Sequence, residues 1–513
     1  MRRKIKEFFL LFLIVFAIRV IPASIGEFLS PDACLYLNMG KNFFEQGKFV
    51  ITYNFYHFWK DPSYSAIPFL FSLYSLLAGF VFFLLHTIKA VTFLNVFISY
   101  LNLLFIFYLL SFFSLSKKTR YFVCVLISLN YTFFYTSLFP WTEQMHLLFL
   151  LLSFFILLKS SPQDYFSSLL IGIIMGVATL VRVANIFNIF GYLLIFLFLF
   201  PQRIKNLFLF LTGVALVILP YELLCFFKYK VFYPQYLEVT KVYGQARIYG
   251  GYYKDSLPVL NATLKITPLG FLYIFFSTSL PKIREFFAIL YDYLGGFLWL
   301  AGVGMYELFR ERKPFYSPIL SFFIIGVVNI FFYSFSVWWD PDLEYYRYVL
   351  IPYICFFIVS VILIDKVLSI NSRTKNIFLI VLFFFIFLKS GYHRLQTNYR
   401  YLTDARKIVE KNSRRRRMLS WLNQHTNFLD VVATPEFYHA FPLDCVIVAF
   451  PQRRVMTKEN MNKFLEIYRP KYIWLKKEEE KIFLPFLSKY EKENLPPSLY
   501  SFYSVFRRKD SLY

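Results

Sequence analysis

The sequence predicts an α-helical polytopic membrane protein carrying a small C-terminal α/β domain on its outer side. Three observations carry that expectation. Of the 513 residues, 58% are hydrophobic and 22% aromatic, with a mean hydropathy of +0.52, where an ordinary soluble domain is about 45–50% apolar. The apolar residues come in long unbroken runs, the mark of helices, because barrel strands alternate and no backbone polar group is left unpaired in hydrocarbon. The basic residues gather in short loops between those runs, as a membrane topology demands.

The basic loops are MRRKIK at 1–6, SKKTR at 116–120, the Lys159 end of one apolar run, PQRIKN at 201–206, RERK at 310–313 and the stretch 366–375. The positive-inside bias places all of them in the cytoplasm. Parity then forces the apolar stretch 66–85 into the outer interface as an amphipathic or re-entrant helix, since a crossing there would put SKKTR and PQRIKN outside. About eleven spans follow, near 7–25, 90–112, 121–139, 143–158, 166–181, 185–200, 207–227, 286–309, 315–336, 347–365 and 376–391, several of them short of the ~20 residues that cross without tilt or thinning. The basic start and first apolar run read as a retained helix, because no small-residue cleavage site follows.

Residues 1–391 therefore form the transmembrane domain, with large outer loops at 26–89 and 228–285. Residues 392–513 form the soluble domain, where helix-like RMLSWLNQH and ENMNKFLEIYR alternate with strand-like DVVAT, CVIVAF, KYIWLK and SFYSVF. The run Arg414–Arg417 reads as a solvated or headgroup-facing surface at the start of that domain.

The net charge of +24 would suggest nucleic acid on a soluble protein. Here it sets topology and meets anionic lipid, so no nucleic-acid partner is expected. The five cysteines show no metal-ligand spacing, and only Cys34 and Cys445 fall clearly outside, where a disulfide between them is one option. His57, His86 and His146 show no His-x-x-x-His spacing, so no metal ligand is assigned.

With this topology, Asp32, Asp61, Glu143, Arg182, Asp340, Asp342, Glu344 and Arg347 all belong to the outer face. A membrane protein keeps such residues at the boundary where water, a partner or chemistry holds them. Each has a plain structural alternative. Asp32 in Ser30-Pro31-Asp32 could cap a helix, and Asp61 before Pro62 could do the same. Glu143 could snorkel to the headgroups, and Arg182 and Arg347 could touch lipid phosphate as any outer-end arginine would. Against that, a guanidinium offers a planar fork of donors suited to a bound phosphate. Lys89 is a further candidate cation.

Five motifs in order sharpen the reading: SPDACLYLNMGKNFFEQGKF at 30–49, WKDPSYSAIPFLFSLYSLLAG at 59–79, TSLFPWTEQMHLLFLLL at 136–152, LLIGIIMGVATLVRVANIF at 169–187 and EYYRYVLIPY at 344–353. Together they resemble the C-type (GT-C) glycosyltransferases, in particular the polyprenyl-phosphate-sugar-dependent family 39, which includes protein O-mannosyltransferases and the aminoarabinose transferase acting on lipid A. The resemblance implies a GT-C fold in the cell inner (plasma) membrane and an outer-face active site. It also implies transfer of a hexose or aminopentose from a polyprenyl-phosphate donor to a lipid, glycan or protein acceptor by one inverting displacement. Asp32 matches the family's catalytic acid and would be the base. Asp61, Glu143, Arg182, Arg347 and Lys89 would bind substrate. Asp32 followed by Ala33, and Pro62-Ser63-Tyr64-Ser65, depart from the family pattern and leave the acceptor open. Some relatives use a divalent metal ion and others none, so that cofactor is open too. A transporter or lipid flippase is the alternative; it would need ionisable groups at mid-bilayer and internal symmetry. A non-catalytic scaffold would leave the acidic first loop unexplained.

Overall fold

The computed structural model describes residues 2–47, 52–54, 72–113, 115–160, 164–199, 204–229, 316–335, 345–366, 403–428, 430–450 and 458–509, with isolated positions between 283 and 290 and at 381, 396 and 399. Its early helices are α1 (Arg2–Ile25), α2 (Pro31–Gln46), α3 (Ser72–Leu85), α4 (Ile88–Leu109), α5 (Lys117–Leu129) and α6 (Tyr131–Leu138). There follow α7 (Glu143–Lys159), α8 (Tyr165–Val181), α9 (Asn185–Leu194), α10 (Ile204–Tyr229), α11 (Tyr316–Phe335), α12 (Tyr345–Tyr348) and α13 (Leu350–Lys366). The C-terminal region adds α14 (Ala405–His425), α15 (Phe437–Ala440) and α16 (Lys458–Tyr468). The described residues divide into two compact units, with boundaries at Ser24/Ile25, Ala90/Val91 and Leu402/Thr403.

The first unit is a bundle of apolar helices. Among the described residues, Ile88–Phe113 and Lys205–Leu224 are long and apolar enough to cross a membrane, with α5 and α6 a third span if the bent pair counts as one. This supports membrane helices without fixing the expected eleven, and the expected spans 286–309 and 376–391 fall almost wholly outside the described residues. Small residues let the helices approach. A Cβ on Gly172 of α8 would sit 2.0 Å from the Phe210 carbonyl oxygen of α10, and one on Gly213 of α10 would sit 2.3 Å from that of Leu169. The Gly172-x-x-x-Gly176 spacing thus makes a backbone-to-backbone crossing, the usual way helices associate where no hydrophobic gain is available.

The expected single span 121–139 is two helices bent by 65°. Asn130 breaks it: its backbone turns extended at φ −62°, ψ 140°, and its side chain accepts from the Phe133 amide to start α6. The bend removes helical partners from the end of α5, and Arg19 of α1 supplies one. Its guanidinium donates to the Ser128 carbonyl at 2.9 Å, to Ser128 Oγ at 3.0 Å and to Ser137 Oγ at 2.6 Å, with no solvent exposure. Hydropathy alone carries no trace of such a break.

The second unit is built on six strands: β1 (Tyr53–Asn54), β2 (Val431–Thr434), β3 (Val446–Ala449), β4 (Tyr472–Lys476), β5 (Tyr490–Lys492) and β6 (Tyr503–Arg508). Their order is β1-β3-β2-β4-β6-β5, parallel from β1 to β4 and antiparallel through β6 and β5. The central strands read as continuous apolar runs because both faces are covered. Val431, Ala433, Val446, Val448, Ile473 and Leu475 pack with Met461, Phe464 and Tyr468 of α16. Trp474 points to the other face, fully buried, and the Trp421 ring of α14 meets Tyr472 edge-on. The strand-like stretches at 430–434, 445–450, 471–476 and 501–506 are β2, β3, β4 and β6.

This unit extends beyond the tail expected at 392–513, because the first loop enters it. Tyr53 and Asn54 pair with Ile447 and Val448, and the Ile447 amide donates to the Thr52 carbonyl at 2.7 Å. Helices α2 and α3 join as a hairpin so close that a Cβ on Gly40 would lie 2.1 Å from the Ser75 carbonyl oxygen. Cys34 and Cys445 are buried and not bridged to each other, and burial pushes the Cys445 thiol up to about 12.

Candidate functional site

In the bundle, the turn Phe139-Pro140-Trp141-Thr142 leads into α7. Asn95 of α4 fixes it by donating to the carbonyls of Phe139 and, at 3.3 Å, Trp141. Glu143, the first residue of α7, is thereby held against two arginines. Arg182 ends α8 in extended conformation and donates to Glu143 Oε1 at 2.5 Å and Thr142 Oγ1 at 3.0 Å. Arg347 of α12 brings its Nε to 3.1 Å from the same carboxylate oxygen. Side-chain exposures are 5% for Glu143, 10% for Arg182 and 4% for Arg347.

Aromatic faces complete the enclosure. The Arg347 guanidinium lies 5.2 Å from the Trp141 ring centroid and 5.0 Å from that of Tyr348, and the Arg182 guanidinium lies 5.2 Å from Tyr348. Such contacts attract a desolvated cation. Among the described residues, two guanidiniums thus meet at one carboxylate oxygen out of water, where a charge is costly without partners. Glu143 Oε2 and Arg182 Nε are buried without a hydrogen-bond partner, so part of the polar capacity here is unused. The arrangement can hold an anion with planar donors and an apolar wall.

One turn further along α7, His146 Nε2 meets Asn185 Oδ1 and Asn188 Nδ2, each at 2.9 Å. Asn329 of α11 donates to Asn188 Oδ1 at 2.7 Å, and Asn185 donates to the Met175 carbonyl of α8 at 2.7 Å. This polar ladder fastens four helices beneath the α8–α9 junction that carries Arg182.

The structure therefore brings together Glu143, Arg182 and Arg347. Asp32 and Lys89 belong to the α/β unit. Asp32 is buried in the first turn of α2, and the cap is Ser30, whose hydroxyl accepts from the Ala33 amide at 3.2 Å. The capping alternative for Asp32 thus gives way to a first-turn acid, a place where helices favour negative charge. Lys89 is half-buried near the start of α4. Asp61, Asp340, Asp342, Glu344 and His57 lie outside the described residues. His86 is exposed with φ +48° between α3 and α4, and no group of three or more metal-ligating side chains occurs among the described residues. Sequence reasoning missed Thr142, Trp141, Tyr348 and the asparagine ladder. The signal available was a Trp two residues before Glu143 and a Tyr beside Arg347.

Two solved structures resemble the chain over nearly its whole length. Both are crystal structures of ArnT from Cupriavidus metallidurans. The one bound to undecaprenyl phosphate has a TM-score of 0.58 at 10% identity, covering 98% of each chain. The apo form has a TM-score of 0.54 at 12% identity, covering 96% of this chain and 97% of that one. At such identities the likeness establishes the fold, and the GT-C fold expected from the resemblance is the fold found. No family model and no curated protein matches the chain.

Proposed function

We propose that the protein is an integral-membrane glycosyltransferase that moves a sugar from a polyprenyl-phosphate donor to an acceptor at the outer membrane face. The observation that carries this reading is the buried Arg182–Glu143–Arg347 cluster, two guanidiniums gathered at one carboxylate and flanked by Trp141 and Tyr348. It suits a phosphate attached to an apolar chain. The same fold in ArnT was crystallised with undecaprenyl phosphate bound, which gives the ligand class a precedent.

The chemistry assigns one role to each group. The acceptor hydroxyl gives its proton to the Asp32 carboxylate as its oxygen bonds to the anomeric carbon. The bond from that carbon to the phosphate oxygen breaks, and its electron pair stays on the polyprenyl phosphate. Arg347 and Arg182 stabilise that departing charge. One displacement inverts the sugar carbon. Glu143 holds the two guanidiniums in a fixed pair, and Lys89 and Asp61 bind the remainder of donor and acceptor. A mannose-like hexose or an aminopentose fits the family resemblance equally.

The same reading assigns 1–391 as the catalytic transmembrane domain, 392–513 as the extracytoplasmic domain and the cell inner membrane as the location. It lays the stretch 66–85 along the outer leaflet. Exposed Phe80, Phe83, Leu84 and Leu85 on α3 support that placement.

Purified protein given radiolabelled polyprenyl-phosphate sugar and an extract of envelope acceptors tests the reading. Label should leave the prenyl carrier, and Asp32→Asn should stop it with the protein still folded. No donor turnover with any acceptor would sink the proposal.

A further inference from the structure

The run Arg414–Arg417 does not form a uniformly solvated face. Arg415 is 4% exposed, and its guanidinium lies 3.6 Å from Glu27 Oε2 and 3.7 Å from Glu436 Oε2. Arg416 donates to Glu27 Oε1 at 3.0 Å. Lys476, at the end of β4, meets Glu436 Oε1 at 2.5 Å. Arg414 turns the other way, to Glu410 and to the face of Phe502 at 3.8 Å. Two adjacent arginines of α14 thus grip a buried carboxylate five positions before Asp32, and the grip continues to the ends of β2 and β4.

The rest of α2 is fastened to the same unit. Lys41, 3% exposed, donates to the Leu443 carbonyl at 3.2 Å and pairs with Asp444. Asn38 accepts from the Thr52 amide at 2.8 Å, and Asn42 donates to Thr52 Oγ1 at 3.2 Å. Thr52 leads into β1, the strand zipped onto β3. The helix carrying Asp32 is therefore held before its start, along its length and beyond its end, in each case by contacts that run to the C-terminal sheet unit.

We propose that Glu27, Arg415 and Arg416 are positioning residues for Asp32: a clamp through which the C-terminal α/β unit sets the first turn of α2 and with it the base of the transfer reaction. The inference rests on the glycosyltransferase reading for its catalytic consequence, and on geometry alone for the clamp. A carboxylate between two guanidiniums fixes the chain entering α2 in a way that a solvated loop does not. A base displaced by about 1 Å loses about 100-fold in rate, so such a clamp reaches the chemistry without touching substrate.

The test uses the full-length protein in lipid nanodiscs, as wild type, Glu27→Gln, Arg415→Lys and Arg416→Lys. Amide hydrogen exchange is read over residues 28–38 and over the strands β2–β4, and donor kinetics are read with labelled polyprenyl-phosphate sugar. Glu27→Gln should speed exchange in the first turns of α2 and leave the strands unchanged. It should also lower kcat by about 10- to 100-fold, with donor KM and donor-binding stoichiometry within about threefold of wild type. Arg416→Lys, which keeps a charge at an exposed position, should retain most of the wild-type rate; Arg415→Lys, which loses the buried fork, should not. Unchanged exchange in α2, or a rate loss matched by lost donor stoichiometry, would overturn the clamp. A wild type without donor turnover would instead sink the transferase reading, and the exchange data would still decide the clamp.

Discussion

Glu143 and Arg182 form an ion pair of 2.5 Å inside the helix bundle, and the carboxylate oxygen they share is also the one that Arg347 approaches at 3.1 Å. Three charged side chains from α7, α12 and the end of α8 thus converge on one atom. The Trp141 and Tyr348 rings lie within cation–π distance of these guanidiniums, contacts that favour a desolvated cation.

Glu143→Gln should therefore destabilise the ligand-free protein by about 3–5 kcal/mol, the usual consequence of leaving a buried charge without its partner. Polyprenyl phosphate should then stabilise the variant more than it stabilises the wild type, because the Glu143 carboxylate no longer competes with phosphate for the two guanidiniums. Thermal unfolding in nanodiscs, with and without polyprenyl phosphate, checks both statements. Equal shifts in the two proteins would show that the carboxylate does not compete with phosphate.

Arg347→Lys keeps the charge and loses the planar fork that lies between Trp141 and Tyr348. Affinity for polyprenyl phosphate should fall at least about tenfold, with neutral polyprenol unaffected. Direct binding to both lipids separates a phosphate contact from a general loss of lipid affinity. A parallel loss for both would move Arg347 from phosphate recognition to bundle packing.

The members of this cluster were legible individually and their meeting was not. Glu143, Arg182 and Arg347 stand out in the chain as charges beside apolar runs, but hydropathy does not say which helix ends converge. The same limit appears elsewhere. Asn130 looks like any polar residue inside a span, and only the freed Ser128 carbonyl, met by Arg19, reveals a break. Strand β1 is described at Tyr53 and Asn54, and nothing local in the sequence points to its partner β3, which lies far along the chain. Arg415 and Arg416 read as solvated because composition counts charges and cannot see a buried Glu27. By contrast, β2, β3 and β4 were readable because strands buried on both faces are continuous apolar runs, a local property.

Gly172 offers a test of the bundle that does not involve substrate. Any side chain there collides with the Phe210 carbonyl, 2.0 Å from an ideal Cβ, and a carbonyl in a helix cannot step aside as a side-chain tip can. Gly172→Leu should abolish the folded, monodisperse protein, and Gly172→Ala should already lower its thermal midpoint. Leu at Ile173, one position along the same helix, should be tolerated. Size-exclusion profiles and unfolding curves in detergent check this, and a well-folded Gly172→Leu would mean that α8 and α10 do not cross at that point.

His439 makes the α/β unit acid-sensitive. It sits on α15, with Nδ1 buried and without a hydrogen-bond partner, near Arg415, Lys411 and Lys476. Burial first, and those cations second, lower its pKa to about 2, against about 6.5 in an unfolded chain. The sign follows from proton counting. Below pH 6.5 the unfolded state takes up a proton that the folded state refuses, so stability falls as pH drops from about 6.5 towards 2. The limiting slope for one such group is about 1.4 kcal/mol per pH unit. Glu480 adds a smaller loss in the lower part of that range: Lys492, Ser504 and Lys477 outweigh its burial and hold its carboxyl at about 2, so the stability it contributes above about pH 4.3 disappears as it protonates. His439→Gln removes the first contribution only. Its unfolding midpoint should stay flat between pH 6.5 and 5, where the wild type declines, and below pH 4 both should fall, the wild type more steeply. If the wild type showed no decline between pH 6.5 and 5, the imidazole would have to be charged in the folded unit, and the cations named around it could not be its neighbours.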